Sequence, residues 1–266
     1  MNIRACVIAL MRLASLMAFS WSCAAETVSI NAGVTSGQPV TLSAELKRPA
    51  GSGPFGGVVM LHGCAGIWKL RDDVWVDRLV SWGYVVLQVD SFVARGHPNG
   101  ICESPLTVSP RTRAKDAHAA KTYLSGLPYV DGDRIAVMGM SHGGWTTLLA
   151  IENSYLDGDV RAKPFKAAVA LYPWCESPLY RLDAPLLILI GDADDWTFAF
   201  RCQRMELKDP GPHKVILKVY PGATHGFDVD QPDQQVLGHK IRYDAEAARD
   251  AVERIHRFLA LHLQGN

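Results

Sequence analysis

The chain has 266 residues, of which 48% are hydrophobic and 20% are charged, a composition typical of a globular protein rather than a disordered or fibrous one. Its 27 Lys and Arg residues balance 27 Asp and Glu residues, and no basic block suggests a nucleic-acid partner. A small neutral or weakly charged partner fits better, and the length favours one large α/β domain over two domains.

The N-terminal segment has the order of a secretory signal peptide. Two arginines precede an apolar-to-small run, Leu13–Trp21, and small residues follow it. We predict cleavage after Ala25, with Ala24 nearly as good, and export to the periplasm or the medium. The alternatives are an uncleaved anchor, for which the run is short, and a lipoprotein modified at Cys23, whose flanking residues suit lipid attachment poorly. Residues 26–266 then form a single domain with no stable membrane span.

Beyond the signal segment, short apolar runs alternate with stretches of helical periodicity. In chain order the pattern predicts a hairpin over 26–46, a strand over 58–61, a helix over 72–82, a strand over 84–90, a polar loop over 91–109, a helix over 111–125, a strand over 134–139, a helix from about Ser141, strands over 167–172 and 186–191, a helix over 197–207, a strand over 214–220 and a closing helix over 241–263. Such alternation predicts a mostly parallel sheet flanked by helices on both faces. Ligands bind at the carboxyl ends of the strands in these sheets.

Three of those strand ends supply a serine, an acidic cluster and a histidine, in the chain order used by α/β-hydrolases. Ser141 lies between Gly139 and Gly143, where a sharp strand-to-helix turn leaves no room for a Cβ. A serine hydroxyl needs a base within hydrogen-bond reach, and His225 follows the strand over 214–220. A carboxylate must orient the imidazole. The spacing leaves three candidates open for that role: Asp192, Asp194 and Asp195.

The oxyanion hole of such a site needs two backbone N–H groups. One belongs to the residue after the nucleophile, His142, and the other to the loop after the strand over 58–61, where Cys64 is the natural donor. We interpret His62 as a structural residue that binds nearby backbone. No cysteine spacing resembles the CxxC pattern of a metal site. Hydrolysis by a serine, a histidine and a carboxylate requires neither a metal nor an organic cofactor.

The stretches His-Gly-Cys-Ala-Gly (62–66), Gly-Met-Ser-His-Gly-Gly (139–144), Gly-Asp-Ala-Asp-Asp-Trp-Thr (191–197) and Tyr-Pro-Gly-Ala-Thr-His-Gly-Phe (220–227) together resemble the dienelactone hydrolase family of α/β-hydrolases. The resemblance runs from about Val58 to the C-terminus. It implies an α/β-hydrolase fold, selects Asp194 as the acid with Asp195 as runner-up, and supports Cys64 and His142 as donors.

Two positions depart from the family's founding enzymes, which carry a cysteine where this chain has Ser141 and a glutamate where it has Gly63. The resemblance therefore implies general hydrolysis of carboxylic esters or lactones rather than dienelactone itself. The alternatives are a peptidase or amidase on the same fold and a non-catalytic ligand-binding scaffold. The oligomeric state is left open.

Four cysteines remain after signal cleavage, an even number that fits disulfides in an oxidising compartment. Four free thiols are the alternative, and four cysteines allow three connectivities. In the sheet order implied by the resemblance, the first two cysteines follow two neighbouring strands. The last two cysteines follow another two neighbouring strands. That order favours Cys64–Cys102 and Cys175–Cys202.

Several other side chains are candidates for the substrate pocket. An aromatic wall is one interpretation of four residues, with ordinary core packing at least as good for each: Trp145, Trp174, Trp196 and Phe227. Arg95 and His97 are candidates for a substrate carboxylate, although a solvated loop charge is the default for both. A weak surface ion pair is expected between Arg113 and Asp116.

Overall fold

The computed structural model describes residues 25–35, 37–152, 163–176, 178–209 and 211–263. The predicted signal segment up to residue 24 lies outside these residues. The described elements are, in chain order, β1 Glu26–Thr35, β2 Gln38–Lys47, β3 Phe55–Leu61, α1 Lys69–Ser81, β4 Val85–Asp90, α2 Pro110–Ser125, β5 Val130–Met140, α3 His142–Ala150, β6 Ala167–Leu171, β7 Leu186–Gly191, α4 Ala199–Gln203, β8 Val215–Tyr220, β9 Gln234–Val236, β10 His239–Ile241 and α5 Ala245–Leu263.

The central sheet has eight strands in the order β1-β2-β4-β3-β5-β6-β7-β8. The six strands from β4 to β8 in this order run parallel, and β1 and β2 add an antiparallel hairpin at one edge. Every residue of β6 and β7 is buried, whereas burial alternates along β2. The apolar runs of the sequence thus form the covered middle of a mostly parallel sheet, as predicted.

Parallel strands bring their carboxyl ends to one edge of the sheet. Strands β3, β5 and β7 therefore deliver the segments after Leu61, Met140 and Gly191 to that edge, and the loop after Tyr220 joins them from β8. Ser109 caps α2 by accepting the Thr112 N–H at 3.1 Å. Among the described helices, none is both long and apolar enough to cross a membrane.

Two predicted helices are shorter than expected. The helix predicted over 197–207 covers only Ala199–Gln203, because the chain beyond it pairs with Leu179, whose N–H donates to Glu206 O at 3.0 Å. The closing helix starts at Ala245 rather than 241. Asp244 stops it there, since its Oδ1 accepts the Ala247 N–H at 3.0 Å in the manner of an N-cap.

A short hairpin, β9–β10, precedes the closing helix and was not predicted from the sequence. Its strands have three residues each and are joined by a two-residue turn, Leu237-Gly238, with φ of 52° and 86°. Positive φ at both turn positions is typical of a type I′ hairpin, for which Asn-Gly is the usual sequence signal. Because Leu237 stands at the first position in place of asparagine, the sequence lacks that signal.

Candidate active site

Ser141 occupies the turn between β5 and α3 with φ 55° and ψ −117°, a conformation that strains any residue with a side chain. Neighbouring backbone leaves space only for glycine on either side. A Cβ at Gly139 would lie 2.1 Å from Gly143 O, and one at Gly143 would lie 2.1 Å from Leu61 O. The predicted reason for these two glycines is confirmed, and the turn presents the Ser141 hydroxyl at the carboxyl edge of the sheet.

Ser141, His225 and Asp194 form one hydrogen-bonded chain. The Ser141 hydroxyl donates to His225 Nε2 at 3.0 Å, and His225 Nδ1–H donates to Asp194 Oδ2 at 2.8 Å. All three residues are buried. The structure brings together three residues separated by 84 and 31 positions in the sequence, in the arrangement that activates a serine hydroxyl.

The surroundings of Asp194 favour its charged form. Its Oδ1 accepts the N–H groups of Trp196 and Thr197 at 2.9 and 2.8 Å. Its Oδ2 accepts from the imidazole and lies 2.9 Å from Thr197 Oγ1. Burial raises the pKa of this carboxyl, but the contact with His225 and the two backbone donors outweigh burial and hold the pKa below its ordinary value. A charged carboxylate is the form needed to orient a neighbouring imidazole.

The other two acidic candidates have separate contacts. Asp192 Oδ1 accepts the Gly222 N–H at 2.6 Å, on the exposed side of the loop. Asp195 Oδ1 accepts the Lys240 N–H at 3.2 Å and lies 3.5 Å from His239 Nδ1. Of the three carboxylates that the spacing left open, Asp194 is the one in contact with His225.

The two residues predicted to donate backbone N–H groups both belong to the region around Ser141. Cys64 lines the same cavity as Ser141, and His142 is the first residue of α3. The first N–H groups of a helix have no partner within it and point toward its N-terminal side. Such groups can stabilise the negative charge that develops on a carbonyl oxygen.

Both ring nitrogens of His142 have partners other than Ser141 and His225. Arg113 Nη1 donates to His142 Nδ1 at 2.7 Å, and His142 Nε2–H donates to Pro105 O at 2.7 Å. Burial and the Arg113 charge lower the pKa of His142 to about 3. Two contacts therefore hold the His142 ring as a neutral imidazole with both nitrogens occupied.

His62 has the structural contacts expected of it, while the prediction for Arg113 is wrong. His62 Nδ1–H donates to Gly63 O at 2.7 Å, and its Nε2 accepts the Ser91 N–H at 3.3 Å. Arg113 is fully buried and also donates to His62 O at 2.8 Å, so it braces the loop after β3 instead of forming a surface pair. The helical spacing did not show which side of α2 faces the sheet edge.

Asp116 pairs with Arg95 through two bonds of 2.9 and 2.8 Å. Asp116 is buried and Arg95 largely so, and the bidentate pair occupies the guanidinium. Arg95 is therefore not the solvated loop charge expected by default, and it is held by Asp116 rather than left for a substrate carboxylate. Instead, Arg95 fixes the loop after β4 to α2.

Both favoured disulfides are present: Cys64–Cys102 and Cys175–Cys202. The first connects the loop after β3 to the long loop after β4, and the Ile101 N–H reinforces it by donating to Cys64 O at 2.7 Å. A cross-link between these loops limits the motion of the Cys64 N–H relative to Ser141.

A cavity of about 300 Å³ opens over Ser141 and His225. Of the four aromatic candidates, Trp196 lines it, and its ring lies 5.1 Å from that of His225. Phe227 is fully buried against Tyr172. Trp145 donates to Glu176 and Trp174 packs under Arg201. An aromatic wall built from all four residues is therefore not observed.

Arg71 is a site residue that the sequence analysis missed. It is the one side chain with a permanent charge among the described residues that line the cavity. Its Nη2 would lie 3.5 Å from a Cβ at Gly63, and its Nε donates to Asp72 Oδ1 at 2.9 Å. Burial opposes its charge, yet Asp72 and the more distant Tyr172 and Asp228 raise the pKa of Arg71 above its ordinary value. Its position on α1, eight residues after Gly63, carries no motif that would have revealed it.

No group of three or more His, Cys, Asp or Glu side chains suited to a metal ion occurs in the part of the chain that the structure describes. The polar groups at the cavity are a hydroxyl, an imidazole, backbone amides, one guanidinium and the Gln234 amide. This set suits attack on a carbonyl carbon and stabilisation of negative charge.

Comparisons with known proteins point to one family. A sequence model of the dienelactone hydrolase family matches residues 42–263. A protein of Bradyrhizobium sp. named "Probable 2-oxo-3-(5-oxofuran-2-ylidene)propanoate lactonase" is 28% identical over 203 residues, which cover 69% of this chain and 78% of that protein.

Two solved structures share the fold. A dienelactone hydrolase-like promiscuous phosphotriesterase from metagenomic libraries has a TM-score of 0.63 at 18% identity, over 91% of this chain and 99% of that one. Dipeptidyl peptidase 4 of Porphyromonas gingivalis has a TM-score of 0.60 at 21% identity, over 90% of this chain but 35% of that one.

Proposed function

Because this chain belongs to the dienelactone hydrolase family of α/β-hydrolases, we propose that it is a serine hydrolase that cleaves carboxylic esters or lactones through Ser141, His225 and Asp194. The observation that carries the proposal is the continuous chain from the serine hydroxyl through the imidazole to the carboxylate, with distances of 3.0 and 2.8 Å. Each donor and acceptor in that chain has the partner that nucleophilic catalysis requires.

In the proposed reaction Ser141 Oγ attacks the ester carbonyl carbon while its proton passes to His225 Nε2. The carbonyl oxygen becomes negative and accepts the N–H groups of Cys64 and His142. Collapse of this intermediate breaks the bond to the leaving oxygen, which takes the proton from His225. Water then attacks the acyl-enzyme carbonyl while His225 Nε2 takes its proton. His225 returns that proton to Ser141 Oγ as the acid is released.

Arg71 Nε is paired with Asp72, but its buried Nη2 has no hydrogen-bond partner among the described residues. This unused donor at the cavity favours an ester or lactone that also carries an acidic group. The name of the Bradyrhizobium relative describes such a substrate, a lactone with a propanoate group. A carboxylate near the guanidinium would gain a charge-assisted hydrogen bond in a half-enclosed cavity. We therefore include anionic lactones and monoesters of dicarboxylic acids in the proposed substrate class.

A fluorophosphonate probe tests the nucleophile directly, because it reacts with an activated serine whatever the natural substrate is. We expect the wild-type protein to be labelled at Ser141 and the Ser141→Ala variant to remain unlabelled. Thr147→Ser, on the same helix but bonded only to Gly143 O, serves as the folding-matched control and should label like wild type. Equal labelling of wild type and Ser141→Ala would refute the proposal.

Peptide-bond hydrolysis is the second candidate, supported by the shared fold with dipeptidyl peptidase 4 of P. gingivalis. This chain aligns with only 35% of that protein, and a peptidase would need to bind an extended peptide. Parallel assays on alanyl p-nitroanilide and p-nitrophenyl acetate separate the two: ester hydrolysis with no release of p-nitroaniline supports the first proposal, whereas release of p-nitroaniline supports the second. A non-catalytic scaffold would not be labelled by the fluorophosphonate probe and would hydrolyse neither compound.

We also propose that the protein is exported as a single domain of residues 26–266 after removal of the first 25. The order of charge, apolar run and small residues before Glu26 supports export. The two disulfides support an oxidising destination as well. N-terminal sequencing of protein recovered from the periplasm or medium, with Glu26 as the expected first residue, tests both statements.

A further inference from the structure

The β9–β10 hairpin, residues 234–241, forms one side of the cavity over Ser141. Gln234, Val236 and Ile241 line it, while Gln235 between them is exposed on the opposite side. This alternation is that of a strand with one face toward the cavity. Gln234 and Val236 are therefore the inward-facing side chains of β9.

Backbone contacts join the hairpin to the residues around His225. Ile241 forms a parallel bridge with His225 itself. On the other side, Lys240 N–H donates to Asp195 Oδ1 at 3.2 Å, next in sequence to the acid of the triad. Both connections fix the hairpin relative to the proposed base rather than to the distant part of the sheet.

Ring stacking adds a third connection. The His239 ring lies 4.7 Å from the Trp196 ring at 18°, and Trp196 lies 5.1 Å from His225. The wall formed by the hairpin is thus held at three points. A wall held in this way has little freedom to yield to a longer substrate, and overfilling a packed space is unfavourable.

The side of the cavity that the hairpin occupies identifies the part of the substrate it meets. His225 Nε2 must reach the leaving oxygen to return its proton, so the alcohol portion of an ester lies on the His225 side. The hairpin is bonded to that side through Ile241. Cys64 and Arg71 line the same cavity, and we assign the acyl portion to them because the His225 side is taken by the alcohol portion.

We propose that the β9–β10 hairpin limits the length of the alcohol group that the enzyme accepts, with Val236 as the side chain that sets the limit. The inference rests on the proposed ester hydrolysis at Ser141. A cavity of about 300 Å³ is at the small end for ligand sites. The enzyme therefore prefers short alkyl esters, and the preference changes with the size of residue 236.

The test measures kcat/KM for methyl, propyl, butyl and hexyl acetate by pH-stat titration. For Val236→Ala we expect the value for hexyl acetate to rise about tenfold, as one or two methylenes in a pocket change specificity by that factor or more. For Val236→Phe we expect the value for butyl acetate to fall about tenfold while that for methyl acetate stays within a factor of two. Gln235→Ala, with its side chain outside the cavity, should keep the wild-type profile.

A matching series of p-nitrophenyl acetate, butyrate and octanoate varies the acyl side instead, and the Val236 variants should leave its profile unchanged. If both Val236 variants are folded, as judged by their thermal midpoints, and their alkyl acetate profiles are unchanged, the inference is overturned while the proposed function stands. A shift confined to the acyl series would also overturn the inference. If wild type hydrolyses no ester and takes no fluorophosphonate label, the proposed function fails and this inference fails with it.

Discussion

Replacing Asp194 with asparagine changes one oxygen to an NH₂ group and reverses one hydrogen bond. Asp194 Oδ1 already accepts two backbone N–H groups at 2.9 and 2.8 Å, so the asparagine oxygen must take that position. Its NH₂ group then faces His225 Nδ1, where Oδ2 now accepts at 2.8 Å. An NH₂ donor there forces the His225 proton to Nε2, the atom that must accept the Ser141 proton.

The expected effect is a fall in kcat of about ten-thousand-fold, the size found when a triad carboxylate becomes an amide with geometry intact. That factor corresponds to about 5 kcal/mol of transition-state stabilisation. The fold should survive, since the shape of the side chain and its two backbone contacts are kept. Stopped assays with p-nitrophenyl acetate measure kcat, and the rate of fluorophosphonate labelling gives a second value independent of substrate.

Asp195→Asn is the matched control, because the two carboxylates are adjacent and Asp195 contacts the hairpin instead of His225. We expect its kcat to stay within about fivefold of wild type. The reasoning is refuted if Asp194→Asn keeps more than a tenth of wild-type kcat, or if Asp195→Asn loses as much as Asp194→Asn does.

Four further outcomes are expected. Arg71→Met should lower kcat/KM about tenfold more for monomethyl succinate than for methyl butyrate, measured in one preparation. Gly143→Ala should lower the free energy of unfolding in urea by about 3 kcal/mol, because its Cβ would lie 2.1 Å from a carbonyl oxygen of β3. Replacing Cys175 and Cys202 with alanine together should cost about 3.5 kcal/mol for their 27-residue loop, with kcat of folded protein unchanged. Burial lowers the pKa of His118 to about 4, so on acidification His118 is protonated in the unfolded chain before it is protonated in the folded one. The free energy of unfolding should therefore fall by about 3 kcal/mol from pH 6.5 to 4. Thermal unfolding of His118→Gln over the same pH range should show a smaller fall in stability by that amount.

The parallel core and the edge where the site lies could both be predicted from the amino-acid sequence. A strand that is apolar along its whole length, such as 186–191, must lie in a sheet that is covered on both faces. Strand β7 has those bounds. Glycine at 139 and 143 also predicted a crowded turn, since no other residue fits where two backbones approach this closely. These are local properties, which are readable because each depends on a few consecutive residues.

Choosing Asp194 over its neighbours required the tertiary structure or the family resemblance. Asp192, Asp194 and Asp195 are chemically identical and lie within four positions, so spacing alone makes each an equal candidate for the acid that contacts His225. The direction of each side chain depends on which backbone donors and which loop face it. Only the fold brings His225 to one carboxylate and the β9–β10 hairpin to another.

Long-range charge pairing was likewise decided by the fold. Arg113 and Asp116 are three positions apart on one helix, yet Arg113 bonds to His142 and Asp116 to Arg95. Arg71 reaches the cavity because α1 begins beside the loop after β3. The amino-acid sequence specifies which groups are available, through composition and local pattern. Their partners depend on distances between segments far apart in the chain, and packing of the whole sheet sets those distances.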